Sequence, residues 1–385
     1  MNEYNWNDII ATLSAGGALI EVANTPPAAS EYLSGRFLPR QLMPDYEVSG
    51  GQMEINTVMA GHVGMDSKYP EGTSIRLNDY GHKTAKYAQA IPLEEEPARQ
   101  LGKLLLLAEA NRASGRTVAD FMTEAGYNLY EKGVVQALDD TAEYVAMSAL
   151  TQGKIDWTFN GRRLLVDYKI PERNRIKLTG EQRLSGSQSG FWKALGDAED
   201  IVRGSVGVVM SQNTLRQVLA NQANEIEVIS DTYSPQRNIR TVQVRRLPRY
   251  AISGGTNQLV STGDRVTSAT LIGYGRQGQI IDPTNVGQTI GVQMVKDNVI
   301  AVIGANTANQ LVSLTGTPVP EQALGYVHVA PTVEGTFRGV SLGRWGRIWT
   351  PENDPYQLRA EGVENSLPVI RNASRLVLIE SEAAE

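Results

Sequence analysis

Residues 117–151 read TVADFMTEAGYNLYEKGVVQALDDTAEYVAMSALT. Thr117 is a good helix N-cap, with Asp120 three positions on as a weak form of the capping box. Val118, Phe121, Met122, Ala125 and Leu129 follow at helical spacing. Near Gly133 the apolar stripe shifts to Val134, Leu138, Ala142, Val145 and Ala149. The spacing predicts one long helical rod whose parts rest on different elements. Unbroken, it spans about 50 Å at roughly 1.5 Å per residue. Gly126 and Gly133 each cost about 1 kcal/mol inside a helix, so packing must hold the rod, and either glycine can bend it. Nothing on the rod is catalytic.

Working toward the N-terminus, Leu93 to Asn111 reads as a first helix. Glu94, Glu95 and Glu96 sit at its positive end, Pro97 is tolerated in its first turn, and Gly115 stops it. Residues 46–92 read as a long extended loop or hairpin, with sparse alternation at Met53, Ile55, Ile75 and Leu77 and a Gly-rich polar tip at 61–72. Such a segment buries too little apolar area to fold alone, so a partner is expected to order it. Residues 1–44 read as an irregular arm rich in Gly and Pro, with one short helix near Asp8–Ala15.

Working toward the C-terminus, Ile155–Ile170 reads as a hairpin turning at Asn160-Gly161, the strongest short-range hairpin signal. A polar link (180–190) leads to a helix at Phe191–Arg203, a strand at Ser205–Met210 and a helix capped by Ser211 or Asn213. Strands are expected at Thr241–Arg246, Ser268–Ile272, Ile290–Val295 and the buried-type run Val299–Ile303. The last part alternates through Phe337, Val340, Leu342, Trp345 and Ile348, turns at Pro351–Pro355 and closes with a strand at Arg375–Ile379. That C-terminal portion is expected to pair with the hairpin after the rod. The class is α+β.

The chain has 385 residues, no cysteine, three histidines and a formal net charge of −6. Disulfides, thiolate metal sites and cysteine nucleophiles are excluded. His62, His82 and His328 lie far apart without metal-ligand spacing. Mild acidity argues against a surface that grips nucleic acid throughout, and is compatible with a wall that encloses it. Residues 1–20 carry Glu3 and Asp8 and no basic region, so they do not read as a signal peptide. No apolar run approaches the roughly 18 residues of a membrane span.

Gly273-Tyr274-Gly275-Arg276-Gln277-Gly278 matches the dinucleotide fingerprint, but Pro283 and strand-like sequence follow where a helix is needed. A glycine-rich turn between strands is the better reading, and no cofactor is expected. Asp139, Asp140 and Glu143 form an acidic group on the rod. Paired carboxylates on one face can bind a cation or share a proton, but a solvated or partner-facing patch is the commoner outcome, with Arg162, Arg163, Arg173 and Arg175 as available cations. Arg237, Arg240, Arg245, Arg246 and Arg249 are basic residues along apparent strands, better suited to salt bridges between subunits than to phosphate. No Walker loop, nucleophile elbow or zinc-protease motif occurs. A carboxylate-based hydrolase using Asp139, Asp140 or Glu143 leaves no short signature and stands as an alternative.

The order of arm, extended loop and rod, then Met147–Lys154 running into a hairpin that closes at Val166-Asp167-Tyr168, then Lys296–Gly304 and Trp349–Pro368, resembles the lambda-like major capsid protein E family of tailed bacteriophages. The resemblance covers most of the chain after residue 115. It implies the Hong Kong phage-like major capsid fold: an N-arm (1–45), an extended loop (46–92), a peripheral domain with the spine helix (93–187 and 331–385) and an axial domain (188–330). It implies a non-enzymatic subunit, assembled in the host cytoplasm, that forms pentamers and hexamers in an icosahedral virion shell. Double-stranded DNA is enclosed there without sequence-specific contacts. A separate scaffold protein, a portal and a decoration protein are the implied partners, and no membrane is involved. The contact candidates between subunits are Met65, Lys68, Tyr69, Arg76, Asp139, Asp140, Glu143, Arg162, Arg163, Arg240, Arg245 and Arg246. An encapsulin-like compartment, the same fold around protein cargo, is the nearest alternative.

Overall fold

The computed structural model describes residues 18–25, 32–56, 74–93, 99–100, 103, 118–159, 162–235, 238–247, 249–253, 256–260, 266–281, 289–304, 311–313, 323–337, 343–349, 358–371 and 373–383. The rod runs from Val118 to Gln152 in three pieces: an α-helix Val118–Tyr130, a π-helical turn Glu131–Val135 and an α-helix Gln136–Gln152. The wide turn contains Gly133 and falls where the apolar stripe shifts. Its extra residue per turn rotates the second half onto new neighbours. The rod stops at Gly153, which sits in the left-handed region at φ +67° and donates its N–H to the Ala149 carbonyl at 3.1 Å.

One layer under the rod is a seven-stranded sheet. Its order is Arg175–Leu178, Leu376–Ser381, Val299–Gly304, Ser205–Ser211, Ser268–Tyr274, Ile239–Arg246, Ile226–Ser234. The inner strands are apolar on both faces because both faces are covered. Val208, Met210, Ile300, Val302, Val377 and Ile379 share a core with the helices Phe191–Val202 and Gln212–Ala220. Val209, Ala301, Ile303, Leu376 and Leu378 join the other core, with Val145, Ala146, Met147 and Leu150 of the rod. Ser211 caps the second helix, accepting from the Thr214 N–H at 3.1 Å.

A second sheet is organised by the long strand Leu358–Ile370. Ala85–Leu93 pairs along one side; Gly325–Ala330 and Trp345–Trp349 pair in tandem along the other. Arg40–Leu42 adds in parallel beyond Gly325–Ala330. The rod approaches this sheet closely at two glycines that face each other across it, Gly346 and Gly362. A Cβ on Gly346 would lie 2.0 Å from the Tyr130 hydroxyl, and one on Gly362 would lie 2.4 Å from Val134.

The remaining pairings are local. Lys154–Phe159 pairs with Arg162–Asp167, and Phe159 opposite Arg162 leaves Asn160 and Gly161 between the strands, as the Asn-Gly reading requires. Gln277–Ile281 pairs with Thr289–Gln293, so the fingerprint-like glycines do join strands. Glu47–Asn56 pairs with Ser74–Lys83, the hairpin expected of the extended loop, and Leu311–Ser313 flanks it.

Two expectations are corrected. The last strand, Leu376–Ser381, pairs with Val299–Gly304 and Arg175–Leu178, whereas the hairpin after the rod pairs only within itself among the described residues. An unbroken Leu-Val-Leu-Ile run needs cover on both faces, which the central sheet supplies and a hairpin with one buried and one exposed face does not. The arm, read from the sequence as irregular, also packs on its own chain. Leu19, Ala23, Tyr32, Leu33, Phe37 and Leu38 are buried against the chain's own body. The Phe37 ring lies over Gly207, where a Cβ would come within 2.8 Å of it. The short helix near Asp8–Ala15, most of the helix 93–111, the loop tip and the turn 351–355 lie outside the described residues, and Leu93 itself ends a strand.

Candidate functional site

The acidic group on the rod is where four distant segments meet. Asp139 and Glu143 lie one turn apart on the rod and both turn inward, at 9% and 2% exposure. Asp139 accepts from Arg344 Nη1 at 2.6 Å and from Arg40 Nη1 at 3.3 Å. Arg344 also pairs through Nε with Glu364, and Arg40 Nη2 reaches the other Glu364 oxygen at 2.8 Å. Two guanidinium groups and two carboxylates thus close a ring beneath the rod. Arg344 is 1% exposed and Glu364 is fully buried. Arg344 is held by its backbone as well: its N–H donates to Asn24 Oδ1 at 2.7 Å and its carbonyl accepts from Asn24 Nδ2 at 3.0 Å. Gly343, at φ +105°, makes this approach possible, since a Cβ there would sit 2.1 Å from Asn24 Oδ1.

Asp140 faces a second arginine. Arg276 Nη2 and Nε donate to it at 2.8 and 3.2 Å, and the Tyr32 hydroxyl donates at 3.0 Å. The Arg276 guanidinium stacks on the Tyr32 ring, 4.2 Å from its centroid. Glu143 accepts from the backbone N–H groups of Leu33 and Ser34 at 3.1 and 3.2 Å and from the Ser34 hydroxyl. It caps the short helix Ser34–Arg36 of the arm.

The partner-facing or solvated acidic patch is therefore corrected. Asp139, Asp140 and Glu143 bind Arg40, Arg276, Arg344 and the arm backbone of their own chain. Among the described side chains, Arg163, Arg173 and Arg175 are not ion-pair partners of these acids. Arg163 makes a two-pronged pair with Asp156 across its own hairpin, both bonds 2.7 Å. Arg175 pairs with Glu380. Arg240 bridges Asp231, Arg245 bridges Glu227 and Arg246 approaches Glu225, all along the edge strand Ile226–Ser234 or just before it. The structure thus uses these arginines to neutralise the acids of one sheet edge. Met65, Lys68 and Tyr69 lie outside the described residues. Arg76 and Arg162 are placed only as strand residues. Among the described residues, no group of three or more His, Asp or Glu side chains is arranged to hold a metal ion.

The sequence reading missed Arg40, Arg276, Arg344 and Glu364. A signal existed for two of them. Arg344 directly precedes Trp345 in a run that becomes a strand, and Glu364-Asn365-Ser366 interrupts the apolar run of the long strand. A charge inside such a run requires a buried partner.

The electrostatics of the ring are asymmetric. Burial alone would raise Glu364, but Arg344 and Arg40 override it and hold its carboxyl at about 2. Burial raises Asp139, and the same two arginines only partly oppose that. The sign follows from linkage. A carboxylate depressed in the fold stabilises it above the unfolded carboxyl range, about 4.3 for Glu, and that stability is lost as pH falls through the folded value. We expect Glu364→Gln to flatten the loss of stability between about pH 4 and pH 2 by about 3 kcal/mol, one unit being about 1.4. Urea midpoints across that range read it; an unchanged acid limb would contradict the assignment.

No family model matches the sequence, and no curated protein matches it. Among solved structures the chain is similar to one described as the capsid protein of a prophage from E. coli CFT073. The identity is 14%, the alignment covers 95% of this chain and 98% of that one, and the TM-score is 0.55. It is also similar to a phage-related protein from Bordetella bronchiseptica RB50 (11% identity, 94% and 96% covered, TM-score 0.45). A third is an encapsulin from Synechococcus elongatus PCC 7942 (7% identity, 94% of each chain, TM-score 0.42). The chain has the Hong Kong phage-like capsid fold, of α+β class, matched across 95% of its length.

Proposed function

We propose that this chain is a lambda-like major capsid protein. In this reading it is a non-enzymatic subunit that assembles, as pentamers and hexamers, into the icosahedral head shell of a tailed bacteriophage around double-stranded DNA. The supporting observation is the fold shared over nearly the full length of both chains with the prophage capsid protein. In this reading residues 1–45 are the N-arm, 46–92 the extended loop, 93–187 with 331–385 the peripheral domain and 188–330 the axial domain. Strands are exchanged at the borders: 175–178 and 376–381 lie in the sheet of the axial segment and 325–330 in the other sheet. Assembly in the host cytoplasm with a scaffold, a portal and a decoration protein belongs to the same proposal, as does residence in the virion.

The contact candidates that fit best are on the free edge of the seven-stranded sheet. Val228, Ile229 and Tyr233 are exposed there, beside Arg240 and Arg245. An edge strand with exposed apolar side chains and neutralised acids is suited to cover by a neighbouring copy. Arg76, Arg162, Arg163, Arg246 and the loop residues Met65, Lys68 and Tyr69 remain candidates within this reading.

The test is negative-stain microscopy of the expressed chain, alone and with the products of neighbouring genes, followed by nuclease treatment. Closed shells with protected DNA in the full set are expected. Shells holding protein cargo would favour an encapsulin-like compartment, and a small oligomer with no shell under any condition would refute the proposal. Deleting residues 61–72 is expected to leave a soluble subunit that does not close shells, because the loop tip is then missing from its neighbour. Normal particles from that deletion would reject the role given to the loop.

A further inference from the structure

Glu143 differs from the two aspartates before it. Asp139 and Asp140 each meet a guanidinium group, whereas no Lys or Arg among the described residues forms an ion pair with the buried Glu143. Its oxygens are served by the arm: the N–H groups of Leu33 and Ser34 and the Ser34 hydroxyl. The same arm segment carries Phe37 and Leu38, both fully buried, and runs directly into Arg40–Leu42, which pairs with the strand Gly325–Ala330. A carboxyl group without a counterion is therefore the polar fastening between arm and rod. We propose that Glu143 is a proton-operated latch: with its carboxyl neutral it holds arm residues 32–38 against the rod, and ionisation loosens that hold.

The physical cause is solvation. An unpaired carboxylate in an apolar site is costly, and the chain can relieve the cost by taking up a proton or by letting the arm lift so that water reaches the site. Burial raises the Glu143 carboxyl above its ordinary range, with the donors from Ser34 and Leu33 opposing it only in part. A group raised in the fold stabilises it fully below the unfolded value, and that stability is lost as pH rises through the folded value. The latch is accordingly tighter in acid and looser in base.

The groups facing Glu143 leave one rival. On the arm these are Tyr32, Arg36 and Arg40; at the end of the strand Ser268–Tyr274 and just past it, Tyr274 and Arg276; on the rod, Asp139 and Asp140. Burial drives Tyr32 and Tyr274 far above the usual phenol range, so neither titrates near neutrality. The guanidinium groups stay charged throughout, and Asp140 is paired with Arg276. Asp139, which burial also raises, is the group to control for.

Hydrogen exchange of the full chain between pH 5 and 8, corrected for intrinsic rates, tests the latch without reference to any assembly. Protection of peptides covering 32–38 is expected to fall by up to about tenfold for each pH unit from the ordinary carboxyl range up to the folded value, and to level off above it. Peptides from the hairpin 154–167 should not change. Glu143→Gln, permanently neutral, is expected to keep protection high and flat, while Asp139→Asn keeps the wild-type fall. Should Glu143→Gln not fold, Ser34→Ala serves instead: removing a donor to the charged form raises the folded value, so the fall continues to higher pH before it levels off. A flat wild-type profile, a fall retained in Glu143→Gln, a fall abolished by Asp139→Asn, or an unshifted fall in Ser34→Ala would each overturn the proposal.

Discussion

Replacing Arg344 by methionine is expected to destabilise the fold by about 3–5 kcal/mol, the usual cost of removing one partner from a buried ion pair. The reason is what stays behind. Asp139 and Glu364 are both buried and both bonded to the lost guanidinium, and Arg40, more exposed, reaches each of them from one side only. Two carboxylates would then share one cation in a site that water does not fill. Arg344→Lys keeps the charge but cannot donate in two fixed directions at once, so it should recover only part of the loss. The triple variant Arg344→Met, Asp139→Asn, Glu364→Gln removes the stranded charges and should be more stable than Arg344→Met alone. This comparison separates the cost of stranding charges from the net value of the ring, which is small for most buried pairs. Urea unfolding reads the series, with an unchanged slope required for the shift in midpoint to count as stability. A loss below about 1 kcal/mol for Arg344→Met would mean that the ring is wetter or more compliant than its geometry.

The second large effect is expected at the glycine pair under the rod. Gly346→Ala would put a methyl group 2.0 Å from the Tyr130 hydroxyl and 2.7 Å from its ring carbons. Gly362→Ala would put one 2.4 Å from Val134 and 3.3 Å from Leu138. Tyr130, just before the π-turn, and Val134, within it, are both buried, so neither has open space to move into. Each substitution is expected to cost on the order of 1–3 kcal/mol by overpacking. Because both lift the same stretch of rod from the same patch of sheet, their effects should be less than additive: the first methyl opens the gap that the second needs. Thermal unfolding of the two single variants and the double variant checks this. Full additivity would show that the rod yields at each glycine separately.

Much of the fold was legible in the chain's periodicity. The rod, the hairpin at Asn160-Gly161, the helices after Gly190 and Ser211 and the apolar strand before Gly304 are set by local spacing and turn chemistry, which neighbouring residues carry themselves. Even the place of the rod's π-turn was visible, as the shift of its apolar stripe at Gly133. The site was not legible in the same way. Asp139, Asp140 and Glu143 look like a solvated helix face, because a carboxylate's partners lie 99, 136, 109 and 205 residues away or thereabouts: Arg40, Arg276, Ser34 and Arg344.

What the sequence alone determined is therefore the inventory of elements and the α+β class, since helix and strand periods are properties of residues a few positions apart. Only the tertiary structure decided where the last strand pairs, that the arm folds back onto its own rod, and that the rod's acids point inward. Those outcomes depend on burial and on long-range charge pairing. Both are set by which surfaces meet, and a local pattern carries no record of that.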